Sequence, residues 1–311
     1  MTSRPQPGGP RWPFATAVPT PLPTPQGHRL LPGIAHAEVF GSRPLELDLH
    51  LPPAELGEGP WPLLVFLHGG GWWYGRRGGV GPQFDEGTFE PFAELARSGL
   101  AVASLDYRLT GEVGWPLPLH DVKAGIRWLR SHADELGLDA SRVVVWGESA
   151  GAHLAAMVAL TADDPALEGD VGTAPLSAGG VSSAVSGAVC WYPPTDFVAF
   201  GPDRGLAEMP PDSFESLLVG GTASQRPDET VAASPVTHVD AGSPPFLVVH
   251  GTADSVVPFR QAERLRDALA AAGVPVDLVP VEGAEHAWHD GPASAATAMA
   301  ATRAFLDAHL R

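Results

Sequence analysis

The sequence predicts an α/β fold: a mostly parallel central sheet with helices on both faces. Three observations carry that expectation. Short apolar runs rich in β-branched residues alternate with helical stretches across most of the 311 residues. One such run, Arg142–Trp146, meets the helical stretch Ala152–Leu160 through Gly147-Glu148-Ser149-Ala150-Gly151, a G-x-S-x-G turn. The other chemistry-bearing residues follow strands directly, at the carboxyl ends where active groups gather in such sheets.

Met1 to Leu31 is proline-rich, with Pro19-Thr20-Pro21-Leu22-Pro23-Thr24-Pro25 at its centre, and reads as an extended or disordered tail. From Ile34 the pattern changes. Ile34–Phe40 is a short strand and Gly41–Pro44 a turn. Leu45, Leu47, Leu49 and Leu51 then alternate with Glu46, Asp48 and His50. Period two means a half-buried strand, so the pair reads as an antiparallel hairpin at a sheet edge.

Pro62–Leu67 is continuously apolar, a strand buried on both faces, and ends in His68-Gly69-Gly70-Gly71-Trp72. Pro91–Ser98 reads as a helix closed by Gly99, Leu100–Asp106 as a strand, and Leu119–Leu136 as one long amphipathic helix stopped by Gly137. After the strand–turn–helix around Ser149, Asp163–Ser183 reads as a loop and Gly187–Tyr192 as a strand. Phe197–Gly242 has no strong period beyond one helix near Asp212–Val219. A stretch that long between strands is usually functional, so 197–242 reads as a lid or cap insertion. Phe246–His250 (strand), Phe259–Ala272 (helix), Val274–Val281 (strand) and Pro292–Leu310 (helix) complete the alternation. The domain organisation is therefore a tail, 1–31, and one catalytic domain, 32–311.

Composition excludes several classes. The formal net charge is −17 and Lys123 is the only lysine, which argues against nucleic acid and anionic membranes as partners. No apolar run reaches about 18 residues, so no membrane span is expected. The start lacks the basic n-region and apolar h-region of a signal peptide, and a cytoplasmic protein is expected. Cys190 is the only cysteine and lies in an apolar run, so it reads as a buried structural thiol.

The residues point to nucleophilic catalysis. In the turn, Ser149 is lifted above the sheet, and the Ala150 amide at a helix N-terminus is placed to donate to an oxyanion. Three successive glycines after His68 turn backbone amides toward a ligand, which adds Gly70 and Gly71 as oxyanion donors. His68 itself reads as a residue that holds the loop. A serine needs a base, and the base needs an orienting carboxylate. Asp254 follows the strand ending at His250, and His286 follows the strand ending at Val281. For the base, His289 ranks second, and His120, His153 and His250 also compete. Asp196 and Glu285 are rivals for the acid. Glu148 reads as a residue that tunes the site or binds loop amides. Trp72 and Trp288 either line a substrate pocket or belong to the core, and Trp73, Tyr74, Trp115 and Trp191 are weaker pocket candidates.

His68-Gly-Gly-Gly-Trp72, Asp106-Tyr-Arg-Leu109, Asp121-Val-Lys-Ala124 with Arg127-Trp-Leu129, Gly147–Gly151, His250-Gly-Thr-Ala-Asp254 and His286 together resemble the α/β-hydrolase carboxylesterases. The chain is most similar to their bacterial hormone-sensitive-lipase-like and feruloyl/acetyl esterase-like branch. The resemblance spans Ile34 to Leu310. It implies Ser149, Asp254 and His286 as the triad, and Gly70, Gly71 and Ala150 as the oxyanion hole. It departs at Ala152, where relatives often carry glycine. It departs also in the N-terminal tail, which replaces the helical cap of many hormone-sensitive-lipase-like enzymes. The expected activity is hydrolysis of short-chain acyl or aryl esters of small molecules, with no cofactor and no metal. An arylformamidase, amidase or peptidase with the same triad is the alternative, and a non-catalytic binding protein the less favoured one.

Overall fold

The computed structural model describes residues 18–39, 41–84, 90–172 and 180–310. Among them runs one sheet of nine strands in the order β1-β2-β3-β5-β4-β6-β7-β8-β9. The strands are β1 (Leu22–Pro23), β2 (Arg29–Ala37), β3 (Leu45–Leu51), β4 (Trp61–Leu67), β5 (Ala101–Leu105), β6 (Leu138–Glu148), β7 (Gly187–Trp191), β8 (Phe246–Gly251) and β9 (Val276–Val281). β1, β2 and β3 pair antiparallel, and β3 joins β5 antiparallel. From β5 through β4, β6, β7 and β8 to β9 every pair is parallel. An α/β sheet with one antiparallel wing is the α/β-hydrolase architecture.

Burial follows the sequence pattern. β3 alternates buried and half-buried residues, because one face meets the core and the other water. β5 and β7 are buried throughout, as continuous apolar runs require. Successive β6 side chains supply opposite cores: Val143 and Val145 join Val65, Ala103, Cys190 and Val248, while Val144 and Trp146 join Phe66, Val189, Trp191 and Val249. The first core is covered by α2 (Leu117–Ser131), α4 (Ala150–Leu160) and α8 (Phe259–Ala271), and the second by α1 (Pro91–Arg97) and α9 (Pro292–Leu310). Cys190 is fully buried in the first core, and burial pushes its thiol well above the ordinary value.

Three expectations are corrected. The sheet begins before residue 32, inside the proline-rich stretch. Leu31 is fully buried in the first core, and the Pro32-Gly33 break is absorbed as a register shift between Leu31 and Ile34 rather than ending the strand. β1 tolerates Pro23 because it is an outer strand. The part of that tail before residue 18 lies outside the described residues, as do 173–179 of the 163–183 loop. Second, the helix read as Leu119–Leu136 divides into α2 and α3 (Ala133–Leu136). His132 leaves helical geometry (φ −110°, ψ 13°), and its Nδ1 lies 2.8 Å from the Trp128 carbonyl oxygen.

Third, the 197–242 insertion is more helical than its weak periodicity suggested. It folds as α5 (Phe197–Asp203), α6 (Phe214–Val219), α7 (Pro227–Ala232) and a 3-10 turn at Pro235–Thr237. Asp196 caps α5 by accepting from Ala199 N at 3.0 Å, and Ser213 caps α6 by accepting from Ser216 N at 3.2 Å. Each helix is too short to show a periodic stripe. No described helix is long and apolar enough to cross a membrane.

Candidate active site

β5 and β6 leave β4 on opposite sides, so strand order reverses at β4. A crevice opens where order reverses, outside the carboxyl ends of the strands. The loop after β4 carries Gly70 and Gly71, and the turn after β6 carries Ser149. Both line one cavity of about 670 Å³, together with Tyr192, Phe214 and His286.

Ser149 sits between β6 and α4 with φ 51° and ψ −118°, in the left-handed half of backbone space that non-glycine residues avoid. Its amide is tied to the Trp191 carbonyl at 2.9 Å. The flanking glycines are required sterically. A Cβ on Gly147 would stand 2.2 Å from the Gly151 carbonyl oxygen, and one on Gly151 would stand 2.1 Å from the Leu67 carbonyl oxygen. Those contacts are with backbone and cannot be relieved by a rotamer.

Ser149 Oγ lies 3.1 Å from His286 Nε2, and His286 Nδ1 lies 2.7 Å from Asp254 Oδ2. Asp254 Oδ1 accepts from Val256 N at 2.9 Å and Val257 N at 2.8 Å. Burial alone would raise Asp254, but hydrogen bonds from His250 and His286 overcome it and hold the carboxyl well below the usual carboxylate range. An ionised Asp254 only accepts, so His286 carries its proton on Nδ1 and presents a bare Nε2 to the serine hydroxyl. Ser149 is thereby hydrogen-bonded to a base that is itself oriented by a carboxylate.

The rivals are occupied elsewhere. His289 lines the cavity, but the bonds to both Ser149 and Asp254 belong to His286. His153 is buried with Nε2 against the Ala233 carbonyl at 2.7 Å, and His120 packs against Gly169. Asp196 caps α5. Glu285 accepts from the Ser255 amide and hydroxyl on the surface. His68 holds its loop: Nδ1 donates to the Gly69 carbonyl at 2.8 Å, and the ring stacks on Tyr107 with centroids 4.3 Å apart. Glu148 binds a loop amide, accepting from Gly69 N at 3.3 Å, and also takes the Tyr192 hydroxyl at 2.7 Å.

Ala150 opens α4, where a first-turn amide has no carbonyl one turn back. Gly70 and Gly71 face the same cavity, on a loop pinned by Trp73 N and Tyr74 N donating to the Gly70 carbonyl at 3.0 and 3.1 Å. Among the described residues, no group of three or more His, Cys, Asp or Glu side chains is arranged to hold a metal ion.

The two tryptophan candidates separate. Trp72 lines the cavity and is almost fully buried, edge-on to His153 and Phe197. Trp288 is fully buried in the second core against Trp191 and Tyr192 and does not line the cavity. Its φ of 58°, following 53° at Ala287, turns its ring inward. Of six described non-glycine residues with positive φ, five (Trp72, Ser149, Tyr192, Ala287 and Trp288) belong to the segments that build this site.

Sequence reasoning missed several residues. Tyr192 lies at the end of β7 with its ring 4.6 Å from the His286 ring, and its position at a strand's carboxyl end was the available signal. Phe214 and Glu215, on the six-residue helix α6, and Arg76, on the loop after β4, line the cavity from segments that carry no motif. His250, weighed as a base, instead packs behind Asp254.

The BD-FAE family model matches residues 47–269. Esterase LipC of Mycobacterium tuberculosis is 32% identical over 84% of this chain and 62% of its own length. The probable carboxylic ester hydrolase LipM of the same organism is 31% identical over 79% of this chain and 54% of its own. The chain thus spans roughly half to three fifths of the curated relatives it matches. Among solved structures, a truncated carbohydrate esterase from gut microbiota superposes with a TM-score of 0.75 at 26% identity, covering 90% of this chain and 98% of that one. A thermophilic esterase of Thermogutta terrifontis with butyrate bound gives 0.68 at 31% identity, covering 90% and 93%.

Proposed function

Because this chain belongs to the BD-FAE family, we propose that it is a serine carboxylesterase acting on short-chain acyl or aryl esters of small molecules. The observation that carries the proposal is the hydrogen-bonded series Ser149 Oγ, His286 and Asp254 at 3.1 and 2.7 Å. His286 Nε2 takes the hydroxyl proton as Ser149 Oγ attacks the ester carbonyl carbon. The carbonyl oxygen becomes an oxyanion, stabilised by the amides of Gly70, Gly71 and Ala150. Collapse expels the alcohol, which receives the proton from His286, and leaves an acyl-Ser149 ester. Water then gives a proton to His286 and attacks the acyl carbon, releasing the acid and restoring Ser149. Asp254 stays ionised and stabilises the imidazolium of each half-reaction.

The short-acyl preference draws on a related enzyme. The Thermogutta terrifontis esterase has been solved with butyrate and with propionate bound. α6 of the 197–242 insertion supplies Phe214 and Glu215 to the cavity wall, and we assign that segment the role of a small cap.

The test is hydrolysis of p-nitrophenyl esters from acetyl to palmitoyl, with Ser149→Ala as control. Turnover should peak at two to four carbons and fall on the order of 10⁵-fold in the variant. Equal activity in Ser149→Ala would end the proposal.

A further inference from the structure

We infer that Tyr74, Phe214 and Glu215 form a subsite for an organic ammonium group, so that the site prefers cationic esters to neutral ones of the same shape. This inference rests on the esterase reading and names a substrate class for it.

All three residues line the cavity that holds Ser149. Tyr74 is 59% and Phe214 39% exposed, unusual for large aromatic side chains beside a site. Their rings stand nearly perpendicular at 73°, with centroids 6.1 Å apart. The Phe214 ring is close to the chemistry, for a Cβ added to Gly71 would fall 2.7 Å from it. The ring therefore rests on the loop assigned to the oxyanion.

Glu215 follows Phe214 on α6. Among the described residues no cation closes an ion pair with it. Burial pushes its carboxyl above the usual range, outweighing the Ser213 hydroxyl and the Arg204 charge, which both favour its ionised form. The other carboxylate lining the cavity, Glu148, is engaged by Tyr192 and Gly69. Arg76 lines the cavity too. It also borders a second depression of about 440 Å³ that contains neither Ser149 nor any residue of α6. Aromatic faces with an adjoining carboxylate are the chemistry that recognises alkylammonium cations: the rings supply cation–π attraction and contact area, and the carboxylate supplies charge. A bound cation would also hold Glu215 ionised.

The experiment compares butyrylthiocholine with its neutral isostere, 3,3-dimethylbutyl thiobutyrate, which differs only by carbon in place of the ammonium nitrogen. The ratio of their kcat/KM values should be about tenfold in favour of the cation. It should fall toward one in Glu215→Gln and Phe214→Leu, and survive in Glu215→Asp. A ratio of one or less in the unaltered protein, or an unchanged ratio in Glu215→Gln, overturns the subsite. Ser149-dependent turnover of p-nitrophenyl butyrate reports separately on the esterase reading. Should no ester be turned over, saturation-transfer NMR with butyltrimethylammonium still decides. Transfer that is lost in Glu215→Gln supports the subsite, and no transfer in the unaltered protein removes it.

Discussion

His250 Nε2 stands 3.3 Å from Asp254 Oδ2, the same oxygen that takes the hydrogen bond of His286. The His250 ring is fully buried, and its Nε2 also lies 2.8 Å from the Val257 carbonyl. A carbonyl only accepts, so His250 carries its proton on Nε2, between that carbonyl and Asp254. Asp254 is thus gripped from behind by an imidazole N–H and two backbone amides, while its free side faces His286. We therefore expect His250 to act as a positioning residue. His250→Phe should lower kcat about tenfold with little change in KM, and His250→Gln, which keeps a donor, should recover most of the loss at matched thermal stability. Steady-state kinetics of both variants check this, and equal rates in the two would leave His250 a purely structural role.

Asp254 itself should matter far more. Asp254→Asn preserves shape but stabilises neither the Nδ1–H tautomer nor the imidazolium, so kcat should fall about 10³- to 10⁴-fold. The fall should be smaller at alkaline pH if hydroxide substitutes for the base. A pH–rate profile of the variant reads this directly, and a loss below tenfold at pH 7 would point to another acid.

The steric demands on the glycines separate two kinds of constraint. Gly151 meets backbone oxygen at 2.1 Å, whereas Gly71, at φ 59°, meets the Phe214 ring at 2.7 Å. Backbone cannot move aside, but a ring on a short surface helix can. Gly151→Ala should therefore yield no folded protein. Gly71→Ala should fold with a loss of about 1–2 kcal/mol, the usual left-handed penalty, and lose activity as the loop shifts. Adding Phe214→Ala to Gly71→Ala should restore part of that activity, since it removes the clash. Chemical denaturation and ester turnover of the single and double variants decide the matter.

Much of this was legible in the sequence because it is local. Ser149, Asp254 and His286 each follow a strand directly, and strand ends share one edge of a parallel sheet, so three motifs 32 to 137 residues apart converge by topology. What was not legible depends on packing between segments without period. α5, α6 and α7 are six or seven residues long, so Phe214 and Glu215 gave no stripe to read. Trp288 sits beside His286 in sequence yet faces the opposite way, because the backbone turns left-handed at Ala287 and Trp288. Sequence adjacency carries no information about such a reversal.

Lys123, the only lysine, is spent on structure. Its Nζ and Arg127 Nη1 each lie 2.8 Å from the Glu168 carboxylate, and all three side chains are buried. Burial alone would raise Glu168, but Lys123 foremost, with Ser183 and Arg127, reverses that and keeps it ionised. Glu168→Gln would leave two buried cations without their counter-charge and should cost about 3–5 kcal/mol of stability. Ester turnover at 25 °C should persist, because none of the three residues lines the cavity. Urea denaturation of the variant tests the cost, and a loss under 1 kcal/mol would mean that water or backbone compensates.

Acid should unfold this protein in a window set by histidines before the carboxylates titrate. Burial pushes His36, His50 and His153 down to about 4 from an ordinary 6.5. Between those values the unfolded chain binds protons that the folded chain refuses, so stability falls as pH drops from about 6.5 to 4 and is unaffected by these groups above it. Each site contributes a slope of up to about 1.4 kcal/mol per pH unit inside the window. Asp254, held below the usual carboxylate range, adds a further loss only at lower pH, where it too becomes protonated. His153→Gln keeps a donor for the Ala233 carbonyl but cannot titrate. Urea denaturation at pH 7, 5.5 and 4.5 should therefore show a variant weaker at neutral pH but with a shallower acid slope, by about one proton. Parallel slopes for the two proteins would mean that His153 is protonated in the folded state and that the aromatic surroundings formed by Trp72, Trp115 and Phe197 tolerate its charge.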